Sequence, residues 1–368
     1  DPLGGQQPLV APNGKAALVA NGMIYNDRAL RASLDQTHFL SATDSESILQ
    51  SCLHGGTKAV SRLDGMYAFI MGDGEKLIVA RDPIGIKPLY VGRRGDALCF
   101  ASEIKALLHV AEDIQEFPPG HVFDSELGLR PHYTLPPTVN DLEQAEAAQA
   151  AIRETLTKAV QKRLRSDVPL GVFLSGGLDS SIIAAIASES IDGLKSFAVG
   201  LPGSPDLEAA RQVAAHLGTD HFEYELNADE VMRDLPHILY HLESFDLDLV
   251  RSAVPCYYAA RLAAEHVKVV LTGEGADELF AGYTYHKSYQ NLDALQAELR
   301  RSILGMHDIN LQRVDRMTMA NGLEARVPFL DREMLELAFR IPANLKLPSD
   351  SRIEKWILRK AFEDMLPT

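Results

Sequence analysis

The sequence has few cysteines and no long apolar run, and both absences exclude classes of protein. Three cysteines among 368 residues cannot build a disulfide framework, and their spacing does not match that of a zinc site. This scarcity predicts a reducing, cytoplasmic setting. No stretch approaches the roughly 18 consecutive apolar residues of a transmembrane helix, so no membrane span is predicted.

Basic residues are also scarce relative to acidic ones. The formal net charge is −15, and no cluster of Lys and Arg stands out along the sequence. Proteins that bind nucleic acid usually carry such a cluster to neutralise phosphates, so that class is disfavoured. The hydrophobic fraction of 46% is ordinary for a globular protein and argues against intrinsic disorder.

The pattern of residue types changes near residue 135, which predicts two domains. Before this point, short β-type runs alternate with turn residues, and helices are predicted at residues 27–34 and 102–110. Residues 135–148 are typical of a linker that enters a helix. We therefore predict one domain at residues 1–140 and a second at residues 141–368.

In the second domain, predicted strands and helices alternate. Strands are predicted at residues 168–174, 194–199, 222–226 and 267–271, with helices between them, and the sequence from about residue 275 is mainly helical. Such alternation is typical of a parallel sheet with crossover helices.

The strongest motif is Ser-Gly-Gly-Leu-Asp-Ser at residues 175–180, between a predicted strand and a predicted helix. The glycines let the backbone turn sharply, and the start of the helix favours an anion. Asp179 is a carboxylate in this anion site, which makes sense if Mg²⁺ lies between it and a phosphate. The sequence contains neither a Walker A motif nor the glycine pattern of a dinucleotide-binding fold, so those two classes are excluded.

A second motif, Thr-Gly-Glu-Gly-Ala-Asp-Glu, follows the predicted strand that ends at residue 271. Sites in parallel sheets form at the carboxyl ends of strands, so this motif and residues 175–180 can share one crevice. Its carboxylates, Glu274, Asp277 and Glu278, are then candidates for binding metal and substrate.

The first motif resembles the pyrophosphate loop of the ATP pyrophosphatases. Both motifs together resemble the synthetase domain of glutamine-hydrolysing asparagine synthetases. Further segments similar to that family lie at residues 196–206, 243–246, 251–255, 313–316, 324–331 and 352–359. The N-terminal part resembles a class II glutamine amidotransferase domain at residues 5–9, 21–26, 44–46, 64–69, 81–90 and 101–107.

The resemblance implies a fold and an activity. The expected fold is an α+β N-terminal-nucleophile amidotransferase domain with αββα layers, followed by an α/β domain with a parallel sheet. The expected enzyme is a carbon–nitrogen ligase that uses ATP to convert aspartate to asparagine through β-aspartyl-AMP, with ammonia from glutamine. Its expected cofactors are ATP and Mg²⁺, and a homodimer remains open.

The resemblance also implies site residues. Glu274 would act as an acid or base, and Arg251 would pair with an oxygen of substrate or phosphate. Asp179 and Asp277 would hold Mg²⁺. The nucleotide and pyrophosphate would be bound by Ser175, Gly176, Gly177, Asp179, Ser180, Val199, Thr272 and Gly273.

In the amidotransferase domain, Asn21 and Gly22 would form the oxyanion hole, and Asp44 would bind the α-amine of glutamine. The family's nucleophile is an N-terminal cysteine, which does not occur here, and a lysine is expected after Pro367. We expect a longer protein to supply both. Met23 stands where the family usually has a glutamate.

Two alternative functions remain open. Asp248 and Leu249 replace hydroxyl residues of the family, which favours the same adenylating chemistry on a different carboxylate. A catalytically dead regulatory paralogue would explain the absence of the nucleophile and the lysine.

Overall fold

The computed structural model describes residues 4–34, 37–351 and 353–367. The chain divides into two compact units, Asp1–Thr134 and Leu135–Thr368. The division falls six residues before the predicted end of the first domain at residue 140. None of the helices that the structure describes is both long and apolar enough to cross a membrane.

The first unit contains two antiparallel sheets and two α-helices. The helices are α1 (Asp27–Ala32) and α2 (Ser45–Gly55). The strands are β1 (Leu9–Val10), β2 (Ala17–Ile24), β3 (Gly65–Gly72), β4 (Leu77–Arg81), β5 (Tyr90–Arg94), β6 (Ala97–Ala101), β7 (Glu112–Glu116), β8 (His121–Asp124) and β9 (Gly128–Pro131). One sheet has the order β1-β2-β3-β4-β8-β9, and the other has the order β6-β5-β7.

Strand β3 shows why these elements stack in layers. Tyr67 and Phe69 lie on one face of the strand and pack in the same core cluster as Leu49 of α2. Ala68 points to the opposite face and packs with Leu89, which immediately precedes the smaller sheet. Alternate residues of a strand face opposite sides, so β3 contributes to both cores. The described residues thus supply helices and two sheets, which are three of the four predicted layers.

The second unit is built around a five-stranded parallel sheet of order β12-β11-β10-β13-β14. The strands are β10 (Leu170–Phe173), β11 (Lys195–Gly200), β12 (Asp220–Glu225), β13 (Val269–Leu271) and β14 (Glu324–Arg326). The helices are α3 (Ala145–Arg163), α4 (Leu178–Ser188), α5 (Pro205–Leu217), α6 (Ala228–Leu242), α7 (Leu247–Ala264), α8 (Ala276–Phe280), α9 (Leu292–Leu304), α10 (Asn310–Met319), α11 (Arg332–Ala338), α12 (Ala343–Lys346) and α13 (Trp356–Ala361).

These sheets confirm the predicted fold class. The first unit has antiparallel sheets with helices, and the second has a parallel sheet whose strands are joined by helices. Strands β10 and β13 are hydrogen-bonded neighbours, with Val172 opposite Leu271. Because the two strands are parallel, the motifs that follow them emerge at the same edge of the sheet.

One predicted helix is wrong. Residues 102–110 contain only a short 3₁₀ turn at Ile104–Ala106. Of the apolar side chains in this segment, Leu107 is buried, whereas Leu108 and Val110 are exposed. An α-helix needs a continuous apolar stripe to pack, and these side chains do not provide one.

Candidate active site

A cavity of about 320 Å³ opens at the carboxyl ends of β10, β11 and β13. It is lined by nine of the residues predicted to bind nucleotide, metal or substrate: Ser175, Gly177, Asp179, Ser180, Val199, Thr272, Gly273, Glu274 and Asp277. The cavity therefore brings together side chains from two motifs almost one hundred residues apart in the sequence.

The loop between β10 and α4 is held in shape by its own hydroxyl groups. The hydroxyl of Ser180 accepts a hydrogen bond from the backbone N–H of Ser175 at 3.1 Å and donates one to the carbonyl of Gly177 at 3.1 Å. Ser181 also donates to that carbonyl, at 2.7 Å. The first N–H groups of a helix have no partner within the helix, so the start of α4 can bind an anion.

Gly176 lies behind the cavity rather than on its surface. Its φ is +75°, a left-handed conformation that favours glycine. A Cβ atom at this position would lie 2.6 Å from Cβ of Ala209 in α5. Gly176 therefore lets the loop turn while α5 packs closely against it.

Replacing Gly176 with alanine is expected to lower the free energy of unfolding of the second unit by about 2 kcal/mol, because strain and overlap combine. Urea unfolding monitored by Trp356, the single tryptophan, measures the change. Gly203→Ala is the matched control, since Gly203 has a φ of +72° but no atom within 4 Å of the new Cβ. Equal losses in the two variants would contradict the packing argument.

Two carboxylates of the cavity share one lysine. Lys355 Nζ lies 2.5 Å from Oδ2 of Asp179 and 2.7 Å from Oδ1 of Asp277. Burial alone would lower the pKa of Lys355, but the two aspartates raise it above its ordinary value, so the amine stays charged. Burial raises the pKa of Asp179 to about 6 against the attraction of Lys355.

Asp179 and Asp277 fit the requirements of a magnesium ion. Oδ1 of Asp179 is buried and has no hydrogen-bond partner among the described residues. Magnesium is usually held by one or two carboxylates together with substrate phosphates rather than by an all-protein cage. No group of three or more His, Cys, Asp or Glu side chains that could hold a metal ion occurs in the part of the chain that the structure describes.

Glu274 forms an ion pair with Arg313 of α10, and both side chains line the cavity. Burial raises the pKa of Glu274, whereas Arg313 opposes the shift. The carboxylate is therefore mostly out of water and held in one orientation. A carboxyl group in such a position is suited to proton transfer or to binding a positively charged group.

A second buried carboxylate, that of Glu278, helps to position the helix that carries Arg313. Glu278 accepts hydrogen bonds from Tyr283 Oη at 2.5 Å and from Asn310 Nδ2 at 2.7 Å. Burial raises the pKa of Glu278 to about 7. Asn310 begins the helix that carries Arg313, so this network fixes α10 relative to α8.

One wall of the cavity is apolar. It includes the side chains of Phe197, Val199 and Cys256. Phe197 stacks on Phe222 with ring centroids 5.6 Å apart, which holds the wall rigid. Burial raises the pKa of Cys256 to about 11, so its thiol remains protonated and is not activated as a nucleophile. A flat apolar wall beside a polar loop suits a nucleoside.

Arg251 does not line this cavity. Its side chain is 80% exposed and pairs with the equally exposed Asp248 at 3.2 Å. The following residue, Ser252, contributes to the cavity wall instead. A binding role for Arg251 thus stays a prediction that would require its side chain to move.

Sequence reasoning missed Lys355 and Arg313 as members of the site. Both lie in segments that resemble the family, at residues 352–359 and 313–316, but no motif chemistry marks them. Their place in these segments was the available signal, and it does not show that their side chains reach the cavity. Arg352, the first residue of its segment, lies outside the described residues.

In the first unit, the predicted glutamine-binding residues cluster around β2. Asn21 and Gly22 belong to this strand, and Asp44 directly precedes α2. Oδ2 of Asp44 accepts a hydrogen bond from the backbone N–H of Ile24 at 2.6 Å, near the end of β2. A Cβ atom on Gly22 would lie 2.0 Å from the carbonyl oxygen of Met66, so only glycine fits there.

Comparison with protein families gives two matches. The asparagine synthase family model matches residues 151–297 and 289–368, and the glutamine amidotransferase domain model matches residues 1–109.

Two curated relatives match almost the whole chain. The probable glutamine-hydrolysing asparagine synthetase of Schizosaccharomyces pombe is 42% identical over 98% of this chain and 70% of its own length. The glutamine-hydrolysing asparagine synthetase 2 of Arabidopsis thaliana is 40% identical over 99% of this chain and 66% of its own length. The chain therefore spans about two thirds of the relatives it matches.

Solved structures show weaker likeness. The glutamine phosphoribosylpyrophosphate amidotransferase of B. subtilis has a TM-score of 0.31 and 20% identity, covering 63% of this chain and 53% of that chain. The U34-tRNA thiolase of Methanococcus maripaludis has a TM-score of 0.30 and 14% identity, covering 59% of this chain and 72% of that chain. Likeness at these values says nothing about the chemistry of this chain.

Proposed function

The chain belongs to the asparagine synthase family, and from this premise we propose that it carries out the ATP-dependent amidation of aspartate to asparagine. Glutamine would supply the nitrogen through the amidotransferase domain. The observation that carries this proposal is the cavity in the second unit, where residues of the Ser-Gly-Gly-Leu-Asp-Ser loop, the carboxylates of Asp179 and Asp277, and Glu274 line one space.

The proposed reaction begins at the α-phosphate of ATP. A side-chain carboxylate of aspartate is a poor electrophile, because its oxygen is a poor leaving group. Attack of that carboxylate on the α-phosphate would form β-aspartyl-AMP and release pyrophosphate. Ammonia would then attack the acyl carbon, AMP would leave with the bond electrons, and loss of a proton from nitrogen would give asparagine.

The residues of the loop would act on the leaving pyrophosphate. Backbone N–H groups near Ser175 and Gly177 and the start of α4 would hold its oxygens, while Asp179 and Asp277 would hold Mg²⁺. When bound, Mg²⁺ would neutralise the charge that accumulates on the phosphate oxygens.

Two further groups would position the substrates. Val199 and Gly273 would line the nucleoside part of the cavity, beside Thr272. Glu274 would accept the proton that the attacking ammonia loses, and its ion pair with Arg313 would keep the carboxylate oriented for this task.

For the first unit, we propose glutamine hydrolysis. Asn21 and Gly22 would stabilise the oxyanion, and Asp44 would bind the α-amine of glutamine. In the family, the nucleophile of this reaction is an N-terminal cysteine. All three cysteines of this chain are free thiols, which supports the proposed cytoplasmic setting.

Exchange of labelled pyrophosphate into ATP tests the proposal on the full-length protein. Aspartate is expected to stimulate exchange strongly, because only an adenylated carboxylate can return AMP to pyrophosphate. Glutamate and succinate are the matched controls and should stimulate weakly. Absence of any stimulation by aspartate would sink the proposal.

The second candidate, adenylation of another carboxylate, has one observation in its favour. Asp248 and Arg251 pair with each other at the surface instead of facing the cavity. A broader set of carboxylates in the same exchange assay separates the two candidates. Strong stimulation by a carboxylate other than aspartate would support this alternative.

A further inference from the structure

A charged lysine lies where the proposed magnesium ion would bind. Lys355 Nζ contacts one oxygen of Asp179 and one oxygen of Asp277, at 2.5 and 2.7 Å. Its side chain is only 9% exposed, so water screens these contacts little. The ammonium group therefore compensates one of the two negative charges while the metal is absent.

The local backbone does not favour a lysine at this position. Lys355 has a φ of +54°, which is uncommon for any residue except glycine. It also directly precedes α13, where the helix dipole disfavours a positive charge. The backbone conformation and the helix dipole thus both disfavour Lys355. Its contacts with the two carboxylates offset these two costs. Such exceptions concentrate at functional sites.

The surroundings leave room for this side chain. A Cβ atom on Gly282 would lie 2.0 Å from Cε of Lys355 and 1.9 Å from Oδ1 of Asp277. The backbone at Gly282 therefore packs directly against the ion pair. Lysine and carboxylate therefore have no room to move toward this backbone segment.

We propose that Lys355 is a resident counter-ion that makes metal binding at Asp179 and Asp277 depend on the nucleotide. A free divalent cation must displace the ammonium group from the same oxygens and then lies beside it, where like charges repel. A metal that arrives with ATP brings phosphate oxygens, and both cations can share their negative charge. This inference rests on the proposed function, since it assumes that ATP is the ligand.

The consequence is that the metal ion binds together with the nucleotide and not before it. Free Mg²⁺ would leave the carboxylate pair to Lys355, so the cavity stays ready for the metal–nucleotide complex. Lys355 thereby prevents a metal-filled cavity without nucleotide. The device requires no movement of a domain, only the transfer of one side chain from carboxylates to phosphates.

Binding of Mn²⁺ alone tests this inference, with the free ion measured by electron paramagnetic resonance in the full-length protein. Lys355→Met is expected to bind Mn²⁺ at least about tenfold more tightly than wild type, because the competing charge is gone. Lys355→Arg keeps the charge and should remain close to wild type. Lys287→Met is the matched control, because Lys287 pairs with Glu354 at 2.7 Å and not with either aspartate.

Equal Mn²⁺ affinity of wild type and Lys355→Met would overturn the inference. If Lys355→Met does not fold, as judged by the fluorescence of Trp356, the inference is tested on the wild-type protein alone. A non-hydrolysable ATP analogue should then raise its affinity for Mn²⁺ at least about tenfold, and no increase would overturn the inference.

The two proposals fail in different ways. If no variant binds the ATP analogue but Lys355→Met still gains affinity for Mn²⁺, the counter-ion role stands and the proposed function fails. If the analogue binds and aspartate stimulates exchange while Mn²⁺ affinities stay equal, only the counter-ion role fails.

Discussion

Replacing Gly282 with alanine is expected to reduce aspartate-dependent pyrophosphate exchange about a hundredfold, because displacing catalytic side chains by about 1 Å has effects of that size. The new methyl group would overlap Oδ1 of Asp277 and Cε of Lys355. Both atoms lie near the ends of side chains that can swing aside. They would be displaced from their present positions, and the fold would tolerate the change.

The distinguishing feature of this variant is loss of activity without loss of stability. Its free energy of unfolding should stay within about 1 kcal/mol of wild type, because only side-chain ends must shift. Urea unfolding followed by Trp356 and the exchange assay provide the two measurements. Gly305→Ala is the matched control, since the nearest atom to its new Cβ is 3.7 Å away. Wild-type exchange by Gly282→Ala would argue against a role for Asp277 in the reaction.

Replacing Lys346 with methionine is expected to stabilise the second unit by about 3 kcal/mol at pH 7, because the variant buries no amine. Lys346 is 1% exposed, and burial lowers its pKa to about 7. It lies in α12 beside Leu347, which belongs to an apolar cluster. No ion pair between Lys346 and the other described residues offsets this burial.

The effect of Lys346 should depend on pH in a defined direction. The folded-state pKa is about 7 and the ordinary value is 10.5, so the unfolded state binds more protons between these limits. Stability of wild type therefore rises with pH through this window, and the advantage of Lys346→Met shrinks to about 1 kcal/mol at pH 9.5.

Urea unfolding at pH 7 and pH 9.5 measures this difference. Lys158→Met is the matched control, because Lys158 is 61% exposed and pairs with Glu154 one helical turn away. Its stability should stay close to that of wild type at either pH. If the difference in free energy of unfolding between Lys346→Met and wild type does not shrink between pH 7 and pH 9.5, the assigned pKa of Lys346 is contradicted.

The parts of the fold that the sequence predicts well are those with strong local signals. The strand predicted at residues 168–174 is observed as Leu170–Phe173, and the helix predicted from residue 179 begins at Leu178. A short apolar run followed by Ser-Gly-Gly leaves the chain few alternatives at this point. The same local signal predicts the anion-binding loop.

The elements that were missed lack such signals. Helix α2 buries polar residues, including Ser47 and Gln50, beside the apolar Ile48, so the contrast between a polar and an apolar face is weak in its sequence. Strand β14 has only three residues and depends on pairing with β13, more than fifty residues earlier. Long-range pairing leaves no periodic pattern in a single sequence.

The same distinction applies to the candidate site. Asp179 and Asp277 lie in motifs whose glycines and carboxylates predict the binding of an anion and a metal ion. Lys355 comes to them from a region without glycines or strand signals, and Arg313 from the middle of a helix. Contacts of this kind are set by tertiary packing, and only the structure shows them.

The packing of α13 against α3 has a consequence for how the protein is made. This closure brings together elements about two hundred residues apart in the sequence. Lys355 directly precedes α13 and reaches the aspartates only when this closure is complete. During synthesis, Asp179 and Asp277 therefore lack the counter-ion of Lys355 until residue 361 has left the ribosome. We expect nascent chains that end before α13 to be sensitive to proteases and to bind no nucleotide.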